Sequence, residues 1–251
     1  QPPISLQGLT FVRNHMPTAK AIAEGTYASP LFAGPDGPKG NGYGPQTFDA
    51  SKQLLREEMP LPSIALGYTG PRGNTKAEVL SCLRTGTFAD ATRPEGSVYF
   101  VTSENIRSRC RQWQFPSSAS GLRKAGINAV VGTSFPEGKR DVIGIMMGEP
   151  TVKPETVGRF LPGCFAEHLT STAAMFDLNA QTKLSRWIAR GATASAGAVW
   201  EPMSIWAKFP NARIFNHYGA GCTLIESFYQ SVRCPLQSML VGEPLAAPWA
   251  P

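Results

Sequence analysis

The chain has 251 residues, 42% of them hydrophobic, which is enough for one α/β domain with a substantial core. No stretch approaches the roughly eighteen consecutive apolar residues of a membrane span, so none is expected. The net charge of +6 is modest and argues against a nucleic-acid-binding protein, and the five cysteines, with no CxxC pair, argue against a disulfide-built scaffold.

The first part of the chain has little periodicity. It contains a polar, Gly/Pro-rich stretch, Pro35–Gln46, which predicts an exposed loop. We therefore expect residues 1–60 to form an irregular N-terminal segment and residues 61–251 to form a single αβα domain.

From Pro62 onward, short apolar runs alternate with amphipathic segments. The runs that predict buried strands are SIALGY (63–68), SVYFVTS (97–103), NAVVGTS (128–134), DVIGIMM (141–147), ATASAGAV (192–199) and SMLVG (238–242). Helices are predicted over 75–82, 119–125, 165–176, 181–190 and 223–232. This alternation predicts a three-layer αβα sandwich with a mostly parallel sheet of about six strands. Such sheets bind ligands at the carboxyl ends of their strands, so functional residues are expected just after each strand.

One strand-end segment is the loop YTGPRGNT, Tyr68–Thr75. It resembles the phosphate loop of flavodoxins, in which a tyrosine, small residues and Gly-Asn-Thr open a helix. Backbone N–H groups at a helix start, with nearby hydroxyls, suit a phosphate, and the candidates to bind a flavin or an anion are Thr69, Gly73, Asn74 and Thr75. The competing interpretation is a turn before a helix capped by Thr75 and Glu78, since Pro71 lacks an N–H donor. No cofactor is predicted.

Two Cys/His pairs raise the possibility of a metal site. Cys164 and His168 would share one face of the predicted helix, and His217 lies near Cys222. Two such pairs form a tetrahedral zinc site when they meet. Buried thiols and structural histidines explain the same residues, and no metal is predicted.

A polar cluster within EHLTS suggests acid–base chemistry. It contains Glu167, His168 and Ser171, and Glu201 follows a later predicted strand. If these side chains converge at the strand ends, they are candidates for the site of a hydrolase. The alternative is that they cap helices and satisfy loop backbone.

Three motifs in the last third of the chain carry a family resemblance. They are GCFAEHLTS (163–171), GATASAGAVWEP (191–202) with KFP (208–210), and TLIESFYQSV…VGEPLAAPWA (223–250). Together they resemble an uncharacterised bacterial family found in planctomycetes, verrucomicrobia and other bacteria that carry the exosortase sorting system.

A more distant resemblance is to the gingipain-type, caspase-like cysteine peptidases. These also have a small-residue-rich strand after a CFAE-type helix, and they end in a helix, a strand and a turn like Gly242-Glu243-Pro244. This resemblance implies a caspase-like or flavodoxin-like fold. The peptidases use a histidine in an HG pair after one strand and a cysteine after the next. Neither is matched here, and the cysteine position falls near Met146–Gly148.

These resemblances lead to the expectation of a pseudoenzyme: a non-catalytic protein with protein partners and a structural or scaffold role in the bacterial cell envelope. One alternative is a hydrolase that uses Glu167, His168, Ser171 and Glu201. Another is a flavin- or anion-binding module built on Tyr68–Thr75. An exported or envelope location is expected from the resemblance, with a cytoplasmic one as the alternative, and the oligomeric state stays open.

Overall fold

One six-stranded sheet organises the computed structural model, which describes residues 2–13, 15–34 and 60–251. The predicted loop Pro35–Gln46 lies outside the described residues. The strands are β1 Ser97–Val101, β2 Asn128–Gly132, β3 Val142–Gly148, β4 Phe160–Leu169, β5 Ala194–Ala198 and β6 Ser238–Gly242. Their spatial order is β2-β1-β3-β4-β5-β6, with β1 to β5 parallel and β6 antiparallel to β5.

Helices cover the sheet on both faces. They are α1 Ala19–Glu24, α2 Lys76–Thr87, α3 Ile106–Arg109, α4 Phe115–Lys124, α5 Ser185–Arg190, α6 Ile214–Gly219 and α7 Leu224–Ser231. On one face, α4 and α6 bring Phe115 and Phe215 against Phe100 of β1. On the other, Trp187 of α5 packs with alternate residues of β1, β3 and β4. The predicted three-layer αβα sandwich with a mostly parallel sheet is confirmed.

Several predicted helix ends are confirmed in detail. Thr75 caps α2 and forms a reciprocal capping box with Glu78. Thr223 does the same for α7. Gly191 ends α5 with a φ of 111°, a conformation that glycine adopts without the steric cost of a Cβ.

The predicted helix over residues 165–176 is wrong, because residues 165–169 form the end of β4 and residues 170–176 are turns and irregular backbone. The strand sits between β3 and β5, and its side chains from Gly163 to Leu169 are buried on both faces. Such a strand reads as a continuous apolar run without the alternation that marks a half-exposed strand. The predicted strand at 63–68 is reduced to one bridge, between Ala65 and Val241.

The described N-terminal residues pack onto the domain. The Gln7 side chain exchanges two hydrogen bonds with the backbone of Leu240 in β6, at 2.7 and 2.8 Å. Phe11 and Ile22 belong to the main hydrophobic core. None of the helices within the described ranges has the length and apolar character needed to cross a membrane.

Candidate functional site

The strand order places a switch point between β1 and β3, because the chain moves outward from β1 to β2 and then returns to the other side of β1. Three polar residues meet there. Ser103 Oγ donates to Glu149 Oε1 at 2.5 Å, and Asn105 Nδ2 donates to Glu149 Oε2 at 3.1 Å. We call Ser103, Asn105 and Glu149 the switch-point cluster. Sequence analysis marked both strand ends but gave no sign that these side chains bond to each other.

Glu167 is buried in an ion pair on one face of β4. Its Oε2 accepts a hydrogen bond from Arg111 Nη2 at 2.5 Å, and both side chains are 0% exposed. The Arg111 guanidinium also donates to the carbonyls of Met147 and Pro210. Burial raises the pKa of Glu167 to about 7, although Arg111 acts to lower it. Glu167 is thus held inside the protein, away from solvent.

His168 lies on the opposite face of the same strand, because successive side chains alternate across a sheet. The Trp187 indole N–H donates to Nδ1 at 2.9 Å, and Nε2 lies 3.1 Å from the carbonyl oxygen of Thr182. With Nδ1 accepting, the Nε2–H donates to that carbonyl, so both ring nitrogens are used in a neutral imidazole. Burial lowers the pKa of His168 to about 3, which keeps the ring neutral near pH 7.

The other two residues of the predicted hydrolase cluster lie elsewhere. Ser171 is buried just beyond the end of β4. Glu201 is exposed in the loop after β5, where its Oε1 accepts a hydrogen bond from the backbone N–H of Met203 at 2.9 Å. The expected convergence of Glu167, His168, Ser171 and Glu201 is therefore wrong: two of them occupy opposite faces of one strand.

The loop Tyr68–Thr75 uses its own backbone donors internally. The N–H of Gly73 donates to the carbonyl of Gly70, that of Asn74 to Tyr68, and that of Thr75 to Glu78 Oε2. The Asn74 side chain is buried and donates to the Ser185 carbonyl at 2.9 Å. A phosphate cradle needs these N–H groups to point at a ligand, so the candidates Gly73, Asn74 and Thr75 build a capped turn instead. Thr69 is exposed on the same loop.

The two Cys/His pairs do not assemble into one site. Cys164 and His168 lie in β4 on the side that packs against Trp187. His217 and Cys222 flank the end of α6, whose Phe215 and Tyr218 belong to the core on the other face. The described part of the chain contains no group of three His, Cys, Asp or Glu residues that could hold a metal ion.

The cysteines are free thiols in protected environments. Cys82, Cys164, Cys222 and Cys234 are buried, and Cys110 is partly buried. Burial raises the pKa of all five, to about 12 for Cys82 and about 11 for Cys222. Because the thiolate is the nucleophile, these environments disfavour nucleophilic chemistry at neutral pH.

Comparison with known proteins adds no family to this description. No protein-family model matches the sequence, and no curated protein gives a significant match.

Proposed function

We propose that this chain is a non-catalytic protein with a caspase-like fold and a structural or scaffold role in the bacterial cell envelope. The observation that carries the non-catalytic part is the placement of Glu167 and His168. They are fully buried on opposite faces of β4, and both nitrogens of His168 are engaged. A general base needs access to the proton it removes, and neither residue has that access.

The caspase-like part is supported by the end of the chain. Helix α7 leads to β6, which runs into the turn Gly242-Glu243-Pro244, as the resemblance implies. The small-residue strand β5 also follows the CFAE sequence, but CFAE lies in the strand β4 and not in a helix, so this part of the resemblance is not met. The residues directly after β1 to β4 are threonines and a glutamate, where a peptidase needs a histidine and a cysteine: Thr102, Thr133, Glu149 and Thr170.

The envelope part is supported by the resemblance to proteins of exosortase-carrying bacteria. Its test is fractionation of a producing bacterium, with the full-length protein followed by antibody. Recovery with the envelope fraction is expected. Recovery entirely with the cytoplasmic fraction would remove this part of the proposal and leave the non-catalytic part standing.

Residue-resolved thiol labelling with iodoacetamide tests the non-catalytic part. In the native protein at neutral pH, we expect the partly buried Cys110 to react first, and every cysteine to react more slowly than a free thiol. All five should label together after unfolding, which controls for peptide recovery. A panel of fluorogenic peptides and esters should show no turnover.

Two results would contradict the proposal. One is a cysteine that labels faster than a free thiol and whose alkylation abolishes a measured hydrolysis. The other is an ester or peptide hydrolysis that His168→Gln removes while the fold is retained, which would favour the hydrolase alternative.

A second candidate function is anion binding near Tyr68–Thr75. The observation in its favour is not the backbone of the loop but the side chain of Arg72, which lines an open groove rich in cationic groups. The first test is the binding of pyrophosphate to the wild-type protein by calorimetry. Binding supports this function, and no heat of binding at millimolar pyrophosphate counts against it.

A further inference from the structure

A groove of about 870 Å³ opens between the loop Tyr68–Thr75, the segment 151–155 and helix α5. Five cationic side chains line it: Arg72, Lys153, Lys183, Arg186 and Arg190. Two carboxylates, Glu78 and Glu155, share the lining. We propose that this basic groove binds a hydroxyl-rich ligand that carries at least two anionic groups, phosphate or carboxylate. The proposal rests on the second candidate function and narrows it to a site and a ligand class.

The carboxylates of the groove leave most of its positive charge unbalanced. Glu155 pairs with Arg186 at 3.2 Å, on the surface. Glu78 is turned toward the start of α2, where its Oε2 accepts from the Thr75 N–H and the Asn74 side chain. Its charge therefore already serves the helix N-terminus. An excess of three positive charges remains in the lining, and an anionic ligand would offset it.

Two of the cations, Lys183 and Arg72, repel each other electrostatically. Lys183 Nζ is fixed by the carbonyls of Thr172 and Ala180, both at 2.7 Å. Burial lowers the pKa of Lys183, and the positive charge of Arg72 lowers it further. Cations held together in this way repel, and an anion between them would relieve that repulsion.

The arginines and Lys153 keep donors for a ligand, whereas Lys183 Nζ spends its three donors on Thr172 and Ala180. Arg72 uses Nη1 to donate to the carbonyls of Phe176 and Asp177, and Arg190 uses Nη2 to donate to those of Val157 and Gly158. A guanidinium has five N–H donors, so each arginine is anchored while further N–H groups remain. Lys153 adds an exposed ammonium to the lining.

The wall that carries Arg72 is fixed before any ligand arrives. The Ser185 hydroxyl donates to the carbonyl of Arg72 at 2.5 Å, and the Asn74 side chain returns a bond to the carbonyl of Ser185. Arg72 itself has a φ of 55°, which is uncommon for a residue with a side chain. A groove that is ordered in advance loses less conformational entropy on binding.

The remaining side chains of the lining indicate the ligand class. They include hydroxyls and amides and no aromatic ring. The Thr182 hydroxyl already bonds to the backbone of Val152, and Gln181 Oε1 already accepts from Thr170 and Thr172. The polar groups offered to a ligand are therefore Thr151, Asn179 and the amide N–H groups of Gln181. Bases and flavins are usually held by stacking on aromatic rings, which this lining does not offer. Hydroxyls and amides suit sugar hydroxyls, while arginine and lysine suit phosphate and carboxylate oxygens.

The test is isothermal titration calorimetry with three probes: pyrophosphate, fructose 1,6-bisphosphate and trigalacturonate. The protein is the wild type, the double variant Lys153→Gln/Arg186→Gln, and the matched double variant Arg109→Gln/Lys124→Gln. All four replaced residues are exposed, and both variants lose two positive charges. Only the first pair lines the groove.

We expect the bisphosphate or the trigalacturonate to bind more tightly than pyrophosphate, and to weaken as salt is raised. The groove variant should lose about tenfold or more in affinity, through two lost charge-assisted contacts, while the matched variant stays within about twofold. Which of the two sugar probes binds tells whether the anionic group is phosphate or carboxylate.

Each result that would contradict the proposal bears on a different part of it. Equal affinities in the two double variants would show that Lys153 and Arg186 do not hold the ligand. This would overturn the basic groove as the site and leave only anion binding at Arg72 of the loop Tyr68–Thr75, the second candidate function. Tightest binding to pyrophosphate would overturn the hydroxyl-rich class of ligand. An absence of binding to every probe would overturn both the groove and the second candidate function. Release of inorganic phosphate from the bisphosphate would leave the groove standing and overturn the non-catalytic role.

Discussion

Replacing Glu167 with glutamine tests whether the buried carboxyl makes the stability of the protein depend on pH. Both Glu167 and Arg111 are 0% exposed, and Glu167 Oε1 has no hydrogen-bond partner among the described residues. Burial dominates over Arg111 and raises the pKa of Glu167 to about 7, from an ordinary value of 4.5. Glutamine keeps the length and shape of the side chain but removes its titration.

The sign of this pH dependence follows from which state, folded or unfolded, holds the proton of Glu167. Between about pH 4.5 and about pH 7, the folded state retains the proton of Glu167 while the unfolded chain has lost it. The stability contributed by this proton is complete below about pH 4.5 and is lost as the pH rises through about 7. The interval between the two pKa values, at 1.36 kcal/mol per pH unit, corresponds to about 3 kcal/mol.

The assay is urea unfolding followed by tryptophan fluorescence, at several pH values from about 5 to about 8. The free energy of unfolding of the wild type minus that of Glu167→Gln should fall by about 2 to 3 kcal/mol over this range. The control is Glu155→Gln. Its exposed carboxylate has a lowered pKa, through hydrogen bonds to its own backbone and the neighbouring Arg186, so the corresponding difference should rise slightly with pH. Parallel curves for the wild type and Glu167→Gln would refute the reasoning, because Glu167 would then titrate alike in the folded and unfolded chains.

Two further substitutions test the packing around β4 and β5. Trp187→Phe removes the N–H donor to the buried His168, and should lower the free energy of unfolding by about 1 to 3 kcal/mol, whereas Trp200→Phe at an exposed site should cost under about 0.5 kcal/mol. Similar losses in both variants would mean that the hydrogen bond is unimportant. Gly197→Val in β5 should lower the melting temperature, at a cost of about 1 to 3 kcal/mol, because a Cβ there would lie 2.6 Å from the Cβ of Ala173. Gly132→Val, in β2 where a Cβ meets nothing within 4 Å, is the matched control, and an equal effect there would contradict the packing argument.

The sequence predicted the layers of the fold well, but it misassigned the central strand. The helix over residues 165–176 was predicted as one of the amphipathic segments between apolar runs, and Cys164 and His168, four residues apart, were then placed on one helix face. An even spacing also places two residues on one face of a strand, so this pattern does not separate the two structures. The strand is covered by helices on both sides, which removes the alternation that would have identified it.

The hydrolase cluster was predicted because polar residues stand together in EHLTS and Glu201 follows a predicted strand. In a helix, Glu167, His168 and Ser171 would project over neighbouring positions, whereas in a strand Glu167 and His168 point in opposite directions. Among individual side-chain contacts, short-range ones such as the capping box of Thr75 and Glu78 could be predicted from the sequence. These depend on residues three positions apart.

The polar contacts that organise the carboxyl edge of the sheet join residues far apart in the chain. Arg111 meets Glu167 across 56 positions, and Ser103 meets Glu149 across 46. Arg111 stands two residues from the exposed Arg109, yet its own side chain is fully buried. The local sequence pattern does not reveal such pairs, because the partner of each side chain is set by tertiary packing.

In this molecule, polar groups with a structural role are paired with each other, whereas the groups proposed to bind a ligand carry unbalanced charge. At the switch-point cluster, both oxygens of Glu149 accept hydrogen bonds from neighbouring side chains, and at β4 the nitrogens of His168 are both used. Their bonding capacity is spent inside the fold. The basic groove differs, because Arg72 and Arg190 are anchored to carbonyls, which carry no net charge, and its excess of cations persists. Folding alone does not require like charges to be collected in one place, since their repulsion opposes it. An anionic ligand gives this collection of charge a physical reason, so the groove, rather than the carboxyl edge of the sheet, is where binding should first be measured.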